Sequence, residues 1–449
     1  MSQHKYATRQ APMSIAPCPW NRLPVEVLLN IAHHLPDLRS ISCLDGASIH
    51  FAAVFSTYGA EILESVMGPS LPLQTRQIIR IVVLLRSETS QPTLDIFFDQ
   101  HFRERPISAA CNPIPPETPQ SVLRDILSTA TVIADLTDHC LSEFMHRCLA
   151  LRPSHLLDKT PFTKLDHIRH FSYHWPQYPC QPYTPQSSGP PSWLEMHRAM
   201  NALWSLHLYL DLVTSIFSGR IAWADEGLGW DAVELRWMYK YYQGVETLAE
   251  RDGRSFSFPG YSIKMISEGI ALDTVVEFLE DFYGWKLPSC RREDVPVDGC
   301  STIDEEKQQS LRLPSLSPEA RSIDWEHEGI GPFPGCDDES RSNALPSSPT
   351  EFERLFFSSP AEDCIVDIFH WSRVFPELHL EFKSFQRLGI AFWDDRRLMA
   401  LRLLRPHKEA SSVHDRRHKA IFRKLNLFYT WKSIEPQEEI EELTGCGAA

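Results

Sequence analysis

The sequence has few features that indicate binding of an ion, a phosphate group or a nucleic acid. Its eleven cysteines are scattered, and no pair has the CxxC spacing of zinc ribbons, RING domains or thioredoxin-like centres. The stretch GPFPGCDDES has proline between its glycines and no Lys-Ser/Thr pair, so it is not a phosphate-binding loop. The net charge of −15 argues against non-specific nucleic-acid binding, because such binding needs Lys and Arg to neutralise phosphates.

Long apolar runs are also missing. The run IIRIVVLLR is too short for a bilayer and is interrupted by Arg80. The opening residues MSQHKYATRQAPMS have no apolar core of the kind that a signal peptide needs. These features predict an intracellular protein, cytoplasmic or nuclear, with free thiols and no membrane association.

Helical periodicity dominates the residues that are present. No repeat has the period of WD40, leucine-rich, kelch, ankyrin or TPR arrays. Ser192 is a candidate cap for the helix that follows it, and Asp394 or Asp395 for a helix over Arg396–Leu404. Beyond the N-terminal region the pattern predicts helices at 60–67, 72–86, 121–151, 193–217, 230–250 and 270–285. The predicted fold is therefore mainly α, with an irregular all-helical domain.

Composition divides the chain into segments. Pro, Ser, Gly, Asp and Glu dominate residues 288–350, and such a segment buries too little apolar surface to offset its ordering entropy. We therefore predict a long disordered acidic insertion within one helical domain. The predicted segments are a disordered leader (1–20), a short three-helix unit (21–66), a helical interaction domain (67–287), the acidic linker (288–350), the continuation of the helical domain (351–434) and an acidic tail (435–449).

The most informative stretch is NRLPVEVLLNIAHHLPDLRSISCLDGASIHFAAVF, from residue 21 to residue 55. Pro24 suits a first helical position, and Glu26 complements the helix dipole in the first turn. The pattern predicts three short helices, the first ending at Pro36, the second over 38–44 and the third over 48–58. A unit of this size buries little surface alone, so the rest of the chain or another protein must cover its apolar faces.

The residues of this unit resemble an F-box. LPVEVLLNIAHHL is similar to the opening of that motif, in which Leu-Pro-x-Glu precedes apolar residues at four-residue steps, and LDGASIHFAAVF is similar to its later part. Two departures are the tight loop PDLRS and a Phe in place of the commoner Trp. PPSWLEMHRAMNALWSLHLYLDL and FQRLGIAFWDDRRL resemble the fungal F-box proteins that have uncharacterised helical C-terminal regions. The residues that match the motif are Leu23, Pro24, Glu26, Val27, Ile31, Leu35, Ala47, Ser48 and Phe51.

The resemblance implies a substrate receptor of a Skp-cullin-F-box ubiquitin ligase. Such a chain is not an enzyme and has no catalytic residue, metal or cofactor of its own. Its helices bind the Skp adaptor and, through it, the cullin, while the rest of the chain binds an unknown protein client. The adaptor-binding residues expected from the resemblance are Leu23, Pro24, Val27, Leu28, Ile31, Leu35, Leu38, Ile41 and Phe51.

Two other classes of function stay open. In the first, the chain is a helical scaffold unrelated to ubiquitin, and its N-terminal helices pack on its own C-terminal region. In the second, it is a metal-dependent or cysteine enzyme, for which His167, His170 and His174 in HIRHFSYHW are the candidate ligands. No Glu follows them in the HExxH manner, so packing among aromatic neighbours is the preferred interpretation.

Cysteines, aromatics and basic residues supply the remaining candidates. Cys140 and Cys148 share a helix face and are interpreted as buried thiols. Cys446 lies in a tail of small residues, which argues against a thioester-forming site there. A basic cluster in HDRRHK is interpreted as a solvated helix face and an aromatic cluster as core, although either could bind a partner. These clusters are Arg416, Arg417 and Lys419, and Trp223, Trp230, Trp237, Tyr239, Tyr241 and Tyr242.

Overall fold

A computed structural model describes eleven stretches of the chain, and most of their residues are helical. The mainly α fold predicted from the sequence is therefore confirmed. The predicted leader, the tail and most of the 288–350 segment lie outside the described residues. The stretches are 23–87, 93–98, 112–156, 180–187, 189–222, 232–233, 263–288, 290–291, 311–315, 386–401 and residue 403.

Helices and two very short antiparallel sheets follow one another along the chain. Strand β1 pairs with β2, and β3 pairs with β4. The elements are α1 (Val25–His33), α2 (Leu38–Ala47), α3 (Ile49–Ser70), α4 (Leu73–Ser87), α5 (Leu94–Phe98), α6 (Gln120–Ala150), β1 (Ser154–Leu156), β2 (Cys180–Pro182), α7 (Trp193–Phe217), β3 (Ala232–Val233), α8 (Ile263–Tyr283), β4 (Cys290–Arg291) and α9 (Asp395–Ala400).

Local capping signals predicted several helix starts. Ser192 forms a capping box at α7, because its hydroxyl accepts from the Glu195 N–H while the Glu195 carboxylate accepts from the Ser192 N–H. Asp394 is the cap of α9, since its Oδ1 accepts from the Arg397 N–H at 2.9 Å. Pro24 differs slightly from expectation, because it occupies the cap position before α1 rather than the first helical position.

Two predictions of secondary structure were wrong. The separate helices expected at 48–58 and 60–67 are one helix, α3, which continues through Gly59. Residues 232–233, expected within a helix, form strand β3 and pair with Cys290–Arg291. Those two partners, like the buried Leu311, belong to the few described residues of the acidic linker.

The chain divides into two compact units. The described part of unit 1 comprises residues 23–70 and 112–131, so it contains α1, α2, α3 and the beginning of α6. Residues 112–131 thus belong to the same unit as the N-terminal helices. Helix α3 packs on both α1 and α2, and the side chains of Phe51, Val54 and Phe55 form its buried face.

Unit 2 contains the remaining described residues, including those of the predicted segment 351–434. Near the start of α4, Thr75 donates to the Asn201 side chain at 3.0 Å, and near its end Arg86 pairs with Asp211 at 2.7 Å. Since Asn201 also precedes Asp211 along α7, the two helices run in the same direction. The 386–401 segment joins this unit through Arg397, whose guanidinium lies 2.8 Å from the Glu195 carboxylate. The two predicted parts of the helical domain thus pack together wherever the structure describes them.

Candidate docking surface

Helix α1 has one face against its own unit and one face open to solvent. Leu28 and Ala32 are completely buried, whereas Val27 is 41% exposed and Pro24 is exposed. Ile31 follows Val27 at a spacing of four residues and is half-buried. Because residues four apart lie on one side of a helix, these apolar side chains form a partly open stripe along α1.

The stripe continues onto the start of α3. The carbonyl oxygen of Leu23 accepts a hydrogen bond from Nε2 of His50 at 3.1 Å, which brings the beginning of α3 to the beginning of α1. Ile49, the neighbour of His50, is 90% exposed. We call six apolar residues of unit 1 that are exposed or half-buried the docking surface: Leu23, Pro24, Val27, Ile31, Leu35 and Ile49.

Sequence reasoning missed Ile49 although a signal was present. Phe51, Val54 and Phe55 mark the buried face of α3 at helical spacing, and Ile49 is out of phase with them. A large apolar residue out of phase with the core face is a candidate for an interface. Its position directly after the Ser48 cap also places it in the first turn, where it makes few contacts with its own helix.

Four of the nine expected adaptor-binding residues are buried in the core of unit 1. Leu28, Ile41 and Phe51 are 0% exposed and Leu38 is 5% exposed, and their part in adaptor binding stays a prediction. The physical reason for their burial is that helices α1, α2 and α3 need a common core before any of them can present a surface. The other five, Leu23, Pro24, Val27, Ile31 and Leu35, are half-buried or exposed and belong to the docking surface.

Charged groups are sparse beside the docking surface. Glu26 is exposed in the first turn of α1, and Nε2 of His33 lies 4.0 Å from Oε1 of Glu61 at the other end of the helix. Both of those side chains are substantially exposed, so their interaction is screened by water. The docking surface is therefore mainly apolar.

The cysteines of α6 are buried thiols, as predicted. Cys140 and Cys148 are 0% exposed, and the Cys148 thiol donates to the carbonyl oxygen of Leu388. Burial raises the pKa of Cys148 to about 12 and raises the pKa of Cys140 well above its usual value. Both groups are therefore protonated at neutral pH, which makes them poor nucleophiles and poor metal ligands.

Several other candidates lie outside the described residues. These are the three histidines of HIRHFSYHW, the aromatic cluster from Trp223 to Tyr242, the basic residues Arg416, Arg417 and Lys419, and Cys446. Within the described stretches, no three His, Cys, Asp or Glu side chains are grouped so that they could hold a metal ion. None of the helices that the structure describes combines the length and the apolar character needed to cross a membrane.

Comparison with known proteins finds no match. Neither a protein-family model nor a curated protein nor a solved structure matches this chain. The functional argument therefore depends on the residues of the docking surface and their surroundings.

Proposed function

We propose that this protein is an F-box substrate receptor of a Skp-cullin-F-box ubiquitin ligase. The docking surface would bind the Skp adaptor, which links the chain to the cullin. The helical region beyond it would hold a protein client near the ubiquitin donor. In this proposal the chain is not an enzyme, because it accelerates ubiquitin transfer only by bringing the client and the donor together.

One observation carries the proposal. In the segment that resembles an F-box opening, Leu28 is buried in the core, while Val27, which matches the motif, is 41% exposed. Soluble proteins usually cover a continuous apolar stripe, either with their own chain or with a partner. Together with Ile49, which is 90% exposed, the stripe is the kind of surface that helix-on-helix docking of an adaptor would bury.

The scaffold hypothesis receives less support from the same residues. It requires the N-terminal helices to pack on the C-terminal region of their own chain and so to lose their exposed apolar side chains. Within unit 1, Val27 and Ile49 are exposed, and the buried face of α1 at Leu28 and Ala32 packs against unit 1 itself. A chain that used α1 only for internal packing would have little need of an outer apolar stripe.

Co-purification with an adaptor tests the proposal. We would co-express the full chain with a Skp adaptor beside two single variants, Ile49→Asp and Ile96→Asp. Ile96 is a matched control, because it is 48% exposed on α5, outside unit 1, and receives the same change. The native chain and Ile96→Asp should co-purify with the adaptor, whereas Ile49→Asp should weaken binding at least about tenfold, as loss of an interface anchor does.

Circular dichroism of the same samples separates binding from folding. Ile49 is the first residue of α3, where an acidic side chain complements the helix dipole, so Ile49→Asp should fold as well as the native chain. A folded native chain that fails to bind any Skp adaptor offered would sink the proposed function.

A further inference from the structure

We infer that residues 112–131, which we call the fourth arm, pack on α2 and α3 as part of unit 1. They position the docking surface without themselves contacting a partner. The inference concerns the packing inside unit 1, and only its consequence for adaptor binding rests on the proposed function. It implies that the three predicted N-terminal helices are an incomplete docking module. Changes far downstream in the sequence should therefore alter binding at α1.

A close approach of two helices is the first observation. A Cβ added to Gly59 of α3 would lie 2.9 Å from Cδ1 of Leu123, which belongs to the first turns of α6. Glycine in the interior of a helix is destabilising, so its presence here is best explained by the space that Leu123 needs. Leu123 itself is 3% exposed, which makes this contact part of the core of unit 1.

Apolar burial extends along both helices from this point. The second half of α3 has a row of fully buried side chains, and so do the first turns of α6 that belong to the same unit. The buried stripe of α3 that begins at Phe51 and Phe55 thus continues through Ile62 and Val66. The buried residues are Ile62, Leu63, Val66 and Met67 in α3 and Val122, Leu123, Ile126 and Leu127 in α6.

Polar contacts fix the fourth arm to two of the other helices. The Ile114 N–H donates to Oε1 of Glu64 in α3 at 2.8 Å, which holds the loop that precedes α6. The guanidinium of Arg124 lies 3.2 Å from Oδ2 of Asp45 in α2, and it also reaches the Ala52 carbonyl oxygen at 3.5 Å. One side chain of the fourth arm therefore bridges α2 and α3.

The fourth arm affects the docking surface through helix α3. This helix begins at Ile49 and packs on α1, so its orientation fixes how Ile49 stands relative to Val27. The fourth arm contacts α3 at Gly59 and Glu64, on either side of Glu61, whose Oε1 lies 4.0 Å from Nε2 of His33 at the end of α1. Loss of the arm should loosen α3 and disturb the docking surface, although no residue of the arm belongs to that surface.

Hydrogen exchange on the full chain tests the packing directly. Leu123→Asp places a charge against Gly59, and Leu141→Asp places the same charge in α6 where the helix belongs to unit 2. We expect Leu123→Asp to reduce amide protection in α1–α3 at least about tenfold and to leave α7 protected. Leu141→Asp should reduce amide protection in α7 and leave α1–α3 protected. Unchanged protection of α3 in Leu123→Asp would overturn the inference.

A charge exchange tests the same arm without a core mutation. Arg124→Asp sets two carboxylates against each other and should weaken adaptor binding about two- to fivefold, since Arg124 is partly exposed. Adding Asp45→Arg restores the opposite pair and should recover binding. If Arg124→Asp were neutral, or the double variant no better than the single one, Arg124 would have no positioning role.

The two experiments keep the inference separate from the proposed function. If the native chain binds no Skp adaptor, the proposed function fails, but hydrogen exchange in Leu123→Asp still decides whether residues 112–131 hold α3. In that case the charge exchange is measured by the protection of α2 and α3 amides instead of by binding. If adaptor binding is intact in a Leu123→Asp chain that has lost protection in α3, the positioning role is wrong.

Discussion

Unit 1 and unit 2 are both built mainly from helices, yet the polar side chains that they bury are of different kinds. Among the described residues, the buried polar side chains of unit 1 are two hydroxyls, Ser48 and Thr118. Unit 2 buries several ionisable groups, among them Glu195, His197 and Arg397. Unit 1 is therefore held mainly by apolar packing, whereas unit 2 contains ion pairs and histidines that must keep their partners or their neutral form.

The ion pairs show the same difference. Glu195 and Arg397 of unit 2 have side chains that are 0% and 4% exposed, while Arg124 of unit 1 is 43% exposed beside Asp45. A buried pair constrains geometry strongly because breaking it leaves an uncompensated charge, whereas a pair near water contributes little. Unit 2 therefore has buried ion pairs that constrain its geometry, whereas unit 1 is held by apolar packing and has exposed apolar side chains at Val27 and Ile49.

Removal of Arg397 should have the largest effect on stability. Its guanidinium bonds both oxygens of Glu195 and also donates to the carbonyl oxygens of Gly189 and Pro190. Arg397→Met leaves the Glu195 carboxylate buried without its cation, so we expect unit 2 to lose about 3–5 kcal/mol. Hydrogen exchange of α7 amides measures this loss for unit 2 separately from unit 1.

Arg124→Met is the counterpart in unit 1. Arg124 and its partner Asp45 are partly solvated, so the same change should lower the unfolding free energy of unit 1 by less than about 1 kcal/mol. Hydrogen exchange of α2 and α3 amides measures this loss. Equal losses in the two units would contradict the contrast between a buried and a solvated ion pair.

Gly389→Ala should have the next largest effect. Gly389 has a φ of +64°, and an added Cβ would overlap the side chain of Phe144 in α6. The variant combines backbone strain with a steric clash in the core, so we expect a loss of about 2–4 kcal/mol in unit 2. Thermal unfolding followed by tryptophan fluorescence reports it, because Trp393 is completely buried in the same segment.

Gly284→Ala separates the two causes. Gly284 has a similar φ of +60°, but no atom lies within 4 Å of its added Cβ, so only the backbone strain of about 1 kcal/mol applies. If both glycine variants lost the same stability, the contact with Phe144 would have no energetic role.

Local signals in the sequence predicted the helices better than they predicted the surface. The Ser192 cap and the Asp394 cap depend on residues three positions away, so the sequence contains the whole signal. The two helices expected at 48–58 and 60–67 are one helix, and at Gly59 between them it packs closely on Leu123, far along the chain. Long-range packing of this kind leaves no local pattern.

The same limit applies to the docking surface. Periodicity identified the apolar residues of α1, but it could not show that Leu28 faces the core while Val27 faces solvent, since both lie within one broad stripe. Which edge of the stripe is covered depends on where α3 packs, and that is a property of the folded unit. Whether the exposed edge binds an adaptor stays a prediction.

Acid should destabilise unit 2 through its buried histidines. Burial lowers the pKa of His197 to about 4, compared with about 6.5 in the unfolded chain. The unfolded state therefore binds more protons below pH 6.5, so the stability is complete above that pH and falls as the pH drops toward 4. From this shift we expect a loss of about 2 kcal/mol between pH 7 and pH 5.

His207 should add to the acid sensitivity in the same direction. Burial lowers the pKa of its imidazole, Asp211 opposes this shift, and Arg86 adds to it. The variant His197→Gln keeps a polar side chain without a titrating group, so it should reduce the loss between pH 7 and pH 5 in the exchange of α7 amides. Unit 1 buries no histidine among its described residues, and its amides serve as the internal reference. An unchanged pH dependence in His197→Gln would mean that other groups cause the acid sensitivity of unit 2.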